Sequence, residues 1–152
     1  MKKNLILLIL SLFFIPKALA ETTIPWTKEG CESVKGTWIT AHSATDDGCD
    51  AAHCNSMNFC ISNVSMNLFS ALIWCQSIGR KLASLDHACP GIPTTSGPCA
   101  NLNLNTCKNG WTSMTTGTNL AFIARLKNGY AQDRRRDWDN DGYQCGNYAL
   151  CE

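Results

Sequence analysis

The sequence predicts a disulfide-rich α+β domain with one main helix, a small antiparallel sheet and long ordered loops. Three observations predict it. Ten cysteines stand in a chain of 152 residues. One stretch carries helical periodicity with a stop signal behind it. Several short apolar runs are separated by clusters of Gly, Pro, Asn and Asp.

Residues 1–20 are expected to be a signal peptide of bacterial type. Met1-Lys2-Lys3-Asn4 is a positive head. Leu5 to Ile15 is apolar but for Ser11, and Pro16 ends the run ahead of the small-x-small site Ala18-Leu19-Ala20. A membrane helix needs roughly twenty apolar residues, so this run is too short to be read as a span. The expected location is secreted or periplasmic, with no membrane insertion after cleavage. Loss of Lys2, Lys3 and Lys17 moves the formal charge from +1 to −2. That balance disfavours nucleic acid as a partner. Arg134-Arg135-Arg136 is the one basic run, and Asp137, Asp139 and Asp141 follow it directly.

All ten cysteines follow the leader: Cys31, Cys49, Cys54, Cys60, Cys75, Cys89, Cys99, Cys107, Cys145 and Cys151. An even count in an oxidising compartment points to a disulfide framework. The competing arrangement is a zinc site from Cys49, His53, Cys54 and Cys60, but no Cys-x-x-Cys pair supports it. Residues 21–62 read as a cysteine-rich N-terminal lobe of one domain, irregular apart from a short strand at Trp38-Ile39-Thr40. Residues 63–152 read as its core.

Within that core, Asn63-Val64-Ser65 offers an N-cap for a helix from Met66 to Ile78. Leu68, Ala71, Leu72, Cys75 and Ile78 recur at spacings of three and four, which predicts one buried face. Gly79 is placed to end the helix. Leu82 to Leu85 reads as a short strand or turn. Pro90, Gly91, Pro93, Gly97 and Pro98 make 86–110 a long loop. Trp111 to Met114 has strand character. Leu120 to Leu126 alternates, with Phe122, Ala124 and Leu126 on one side. Asn128-Gly129 is a tight-turn signal before a return strand at Tyr130 to Gln132. Asp133 to Gly142 reads as a charged loop and Tyr148 to Cys151 as a last short strand.

Two of these segments resemble the C-type lectin-like domain. Ala71-Leu72-Ile73-Trp74-Cys75 with Gly79-Arg80-Lys81-Leu82-Ala83-Ser84 is similar to that family's first helix and the turn after it. Ala149-Leu150-Cys151-Glu152 is similar to its closing strand. The middle resembles a group of bacterial exported domains of related fold: Trp111-Thr112-Ser113, the apolar run Ala121 to Leu126, Gly129, the Arg134–Arg136 run and Cys151. The resemblance spans Met66 to Glu152. It implies a C-type-lectin-like fold, a Cys75–Cys151 bridge and a second bridge from Cys145 to a cysteine in the middle of the domain, for which we take Cys107. Sugar-binding members carry Glu-Pro-Asn or Gln-Pro-Asp, and neither tripeptide occurs here. They also carry Trp-Asn-Asp, to which Trp138-Asp139-Asn140-Asp141 is similar but not identical. Calcium-dependent sugar binding is therefore not implied directly.

Asp137, Asp139 and Asp141, followed by Gly142, place oxygen ligands at alternate positions, as calcium loops begin. The twelfth position is Tyr148, which excludes an EF-hand. The expectation is no cofactor, with calcium as the one candidate. Trp138 among charges suits stacking on a ligand, and Tyr143, Arg135 and Asn140 are the other candidate contacts. Trp26, Trp38, Trp74 and Trp111 are expected to be structural. The three histidines, His42, His53 and His87, belong to no catalytic motif, so an enzyme is not expected. The expected function is a secreted, disulfide-stabilised module that recognises a glycan or protein ligand through loops 86–118 and 133–144. The alternative is a structural or surface-assembly protein of the bacterial envelope without small-ligand binding. The oligomeric state is left open.

Overall fold

A computed structural model describes residues 23–40, 58–89, 97–98, 104–116, 118–140 and 145–152. The leader 1–20 lies outside the described residues, and so do Cys49, His53, Cys54 and Cys99.

The N-terminal lobe begins with α1, Lys28–Ser33, which the sequence did not signal. Its start is set by Thr27, whose hydroxyl accepts from the Gly30 amide at 3.1 Å. Strand β1, Gly36–Thr40, pairs antiparallel with β2, Asn58–Ser62. Cys31 on α1 is bridged to Cys60 on β2. Cys60 is therefore no zinc ligand.

The main helix is α2, Leu68–Ser77. It starts later than its apolar spacing suggests, because Met66 donates its amide to the Asn147 carbonyl at 2.7 Å and stays outside the helix. The cap is Asn67, which accepts from the Ser70 amide at 3.0 Å, and not the Asn63–Ser65 segment. At the other end Gly79 has φ +70°. Its amide meets the Gln76 carbonyl and the Arg80 amide meets the Cys75 carbonyl, both at 2.9 Å. This is the paired closure that a left-handed residue permits at a helix end. A Cβ on Gly79 would also stand 2.7 Å from the Thr23 Cα. Gly79→Ala is therefore expected to cost about 2 kcal/mol, from left-handed strain and crowding together. The urea midpoint of the variant checks it.

A short helix α3, Leu85–Ala88, follows, capped by Ser84. Residues Gly97–Pro98 form β3, and β4 runs Lys108–Thr116. The expected long loop 86–110 is thus partly regular, and the rest of it, 90–96 and 99–103, lies outside the described residues. Strand β5, Leu120–Arg125, turns through Gly129 at φ +58° into β6, Tyr130–Arg135. The return strand continues three residues into the segment read as a charged loop. Strand β7, Gly146–Cys151, closes the described chain.

All seven strands form one sheet in the order β1-β2-β7-β4-β5-β6-β3. The expectation of one main helix with a small antiparallel sheet is thereby corrected. Six strands of five residues or more, plus the two-residue β3, make a large mixed sheet, and the described residues hold three short helices. Two features enlarge it. Strand β2 of the N-terminal lobe joins β7, with Cys60 opposite Cys151. Strand β4 pairs with β7 in parallel, Asn109 opposite Asn147. Parallel pairing needs a long crossover between its strands, which no local turn signal reveals. The side-chain Nδ2 of Asn109 donates to the side-chain Oδ1 of Asn147 at 3.0 Å, a buried contact that ties this register.

Both faces of the sheet are covered. On one face Leu68, Ala71, Cys75 and Ile78 of the α2 region pack with Trp111, Ala121, Ile123, Ala149 and Cys151. On the other, Phe59, Ile61, Phe122, Ala124, Leu126 and Leu150 pack with Ala83, Leu85 and Cys89. Phe122, Ala124 and Leu126 share a side as their alternation predicts, and β5 is buried on its opposite side as well. Trp111 is fully buried, and its Nε1 donates to the Met66 carbonyl at 2.8 Å. Trp26 and Trp38 meet edge to face at 5.0 Å, and Trp74 packs at the margin of the α2 core.

Two cross-links fasten this frame. Cys75 on α2 is bridged to Cys151 on β7, and Cys107 to Cys145 at the paired starts of β4 and β7. Cys89 is also disulfide-bonded. Among the described residues no cysteine is free, and no helix is long and apolar enough to cross a membrane. Such a set of bridges is consistent with a compartment outside the reducing cytoplasm.

Candidate functional site

Strand β6 ends in a turn that carries Arg135, Asp137 and Trp138. Arg135 meets Asp137 through two bonds, Nε to Oδ1 at 3.1 Å and Nη2 to Oδ2 at 2.8 Å. The hydrogen bonds from Arg135 hold the Asp137 carboxyl below its usual range, and the same pair raises the Arg135 guanidinium. Both groups are exposed, so the pair contributes little to stability. Its effect is positional: the guanidinium lies 5.3 Å from the centre of the Trp138 ring. The Trp138 amide closes the turn on the Arg135 carbonyl at 3.2 Å. The indole remains 41% exposed.

The backbone beneath this group is anchored on three sides. The Leu68 amide at the start of α2 donates to the Arg136 carbonyl at 3.0 Å. Arg136 donates its own amide to Asn119 and its Nε to the Leu120 carbonyl, both at 3.1 Å. The Asn147 amide of β7 donates to the Asp139 carbonyl at 2.7 Å. Asn140 bridges to Gly146 and donates its side-chain amide to Asp139 at 3.1 Å. The turn is therefore a fixed platform with an aromatic face, a cation above it and amide and carboxylate groups beside it. A flat aromatic beside hydrogen-bonding groups can stack on the apolar face of a sugar ring while the polar groups meet its hydroxyls.

The structure brings Arg135 and Trp138 together at one turn, and Asn140 follows two residues on at its bridge to Gly146. Tyr143 and Asp141 lie outside the described residues. Of the candidate calcium ligands, Asp137 is engaged by Arg135 and Asp139 accepts from Asn140. Among the described residues no three His, Cys, Asp or Glu side chains gather to hold a metal. Within the arginine run Arg135 pairs with Asp137, Arg134 donates to the Asp133 carbonyl and Arg136 to the Leu120 carbonyl.

A second polar cluster has no forewarning in the sequence. Glu152 pairs its backbone with Lys81, and its carboxylate meets Lys81 Nζ at 2.9 Å and His87 Nδ1 of α3 in a short contact. The His87 ring packs on Phe59 at 4.9 Å. The partner of His87 stands 65 residues away in sequence. Burial raises the Glu152 carboxyl, but the bonds from Lys81 and His87 outweigh it and hold it below 4.5. The carboxylate is thus favoured in the folded chain. Its stabilisation is full above the unfolded value and is lost as pH falls through the lower folded value. The Tm of the native chain is expected to fall more steeply below about pH 4.5 than that of Glu152→Gln. Scanning calorimetry across that range checks it.

No family model matches the chain, and no curated protein matches it.

Proposed function

We propose that the protein is a disulfide-fixed recognition module of the extracytoplasmic space, related to C-type lectin-like domains, that binds a glycan at the Arg135–Trp138–Asn140 turn. The observation that carries this reading is the exposed Trp138 ring held under the Arg135 guanidinium, itself locked by Asp137. An exposed indole on a rigid turn loses little freedom on binding, so stacking is not offset by ordering. The Cys75–Cys151 and Cys107–Cys145 bridges support the relationship, because the resemblance implies the same two links. Calcium is no part of the proposal, since the two described acids of the loop already have partners.

A glycan array probed with and without a chelator tests it. Trp138→Ala is expected to weaken binding of the best array hit at least about tenfold, as loss of one aromatic contact predicts. Its Tm should stay within about 2 °C of the parent, as for an exposed site. No glycan bound above background, or full binding by Trp138→Ala, would overturn the proposal. The assembly reading is favoured by a different observation, the apolar outer face of α2.

A further inference from the structure

Helix α2 is apolar on both sides. Leu68, Ala71 and Cys75 are buried against the sheet. On the opposite side Phe69 is 54% exposed, Leu72 36% and Ile73 66%, and Val64 in the lead-in is 70% exposed. Phe69, Leu72, Ile73 and Gln76 recur at three- and four-residue spacings, so they form one stripe. A helix that is apolar all round normally lies between two layers, and here one layer is in place. The stripe is presented rigidly: Asn67 caps one end, Gly79 closes the other and Cys75 is bridged to β7.

The chemistry of α2 selects among occupants. A helix that lies in a membrane surface carries Lys or Arg on its polar side. The ten residues of α2 include no charged side chain of either sign. The three exposed apolar side chains of the stripe, Phe69, Leu72 and Ile73, present on the order of 300 Å² together, at the lower end of the range of patches that are commonly functional. One side of a standard interface covers about 800 Å², of which roughly 60% is apolar. The stripe therefore supplies somewhat over half of the apolar part of one such side. Ser65, Ser70, Gln76 and Ser77 around it are exposed and polar, as an interface rim is. In a two-fold contact a surface meets its own copy, so any charge at the centre would face a like charge. An uncharged apolar stripe escapes that penalty.

We infer that α2 is a self-association surface, and that a second copy of this chain packs on Phe69, Leu72 and Ile73 to form a two-fold dimer. This inference stands on α2 alone and does not depend on glycan binding at Trp138. Sedimentation velocity of the oxidised protein, purified as processed in the periplasm of an expression host, tests it. The native protein is expected to pass from monomer to dimer between about 1 and 500 µM, the range of a weak-to-moderate Kd. Ile73→Lys and Ile73→Glu place like charges across the contact. Each should raise the dissociation constant at least about a hundredfold, with an unchanged circular dichroism spectrum. Because Ile73 is exposed, neither change removes a core contact within the monomer. A native protein that stays monomeric throughout, or dimers that persist equally in both variants, would overturn the inference. So would open-ended growth into larger species, which marks a head-to-tail contact rather than a two-fold one.

Discussion

Replacing Cys75 and Cys151 together by alanine is expected to cost roughly 4 kcal/mol of stability. The two cysteines are 76 residues apart, and the loop-entropy relation gives roughly 4.5 kcal/mol for a free loop of that size. The loop is not free, because Cys107–Cys145 lies inside it and shortcuts it to about 40 residues, which lowers the figure to roughly 4 kcal/mol. Removing Cys31–Cys60 in the same way, at a separation of 29, should cost roughly 3.5 kcal/mol. A small domain has about 5–15 kcal/mol in all, so the Cys75/Cys151 variant should be close to unfolding at ordinary temperature. Urea unfolding followed by circular dichroism measures it. Losing both bridges should cost about the sum of their separate effects, because 31–60 and 75–151 enclose separate stretches of the unfolded chain. A loss under about 1 kcal/mol would mean that the unfolded chain is already restrained there by its remaining bridges.

Trp111→Ala is expected to cost about 4–5 kcal/mol, at the upper end for a large buried aromatic. The indole fills the space between β4 and the α2 core, and no part of it reaches solvent. Its Nε1 also satisfies the Met66 carbonyl, in the segment where the chain passes from β2 into α2. Trp111→Phe separates the two contributions. Phenylalanine retains most of the apolar contact but offers no donor to that carbonyl, so its cost should be about 1–2 kcal/mol. Urea midpoints of the two variants give the comparison. Hydrogen exchange should show the added loss in Trp111→Phe concentrated at the first turn of α2.

These two positions also show what the sequence discloses and why. The helix was legible because Leu68, Ala71, Cys75 and Gly79 obey local rules of period and termination. Its first residue was misplaced because Met66 is held by Asn147, a contact 81 positions away that leaves no mark on local spacing. The β5–β6 turn was legible from Asn128-Gly129. The size of the sheet was not, since β2–β7 and β4–β7 pair segments remote in sequence. Strand β6 was cut short because Asp133, Arg134 and Arg135 read as solvent-facing charges, whereas in the sheet their backbones pair with Phe122, Ala121 and Leu120. At the candidate site Trp138, Arg135 and Asn140 were legible as an aromatic among polar groups. The lock of Arg135 on Asp137 requires the turn itself. The Glu152 cluster was hidden for the same reason as the sheet, because it joins α3 to the far end of β7.

Strand β7, formed by residues 146–151, sits between β2 and β4. Until those residues emerge, the growing chain holds only a two-stranded ribbon on one side and a hairpin-based half-sheet on the other, with no seam to join them. Such late, long-range closure is slow compared with local helix formation. The two halves of the sheet are therefore joined only once residues 146–151 take their place between them.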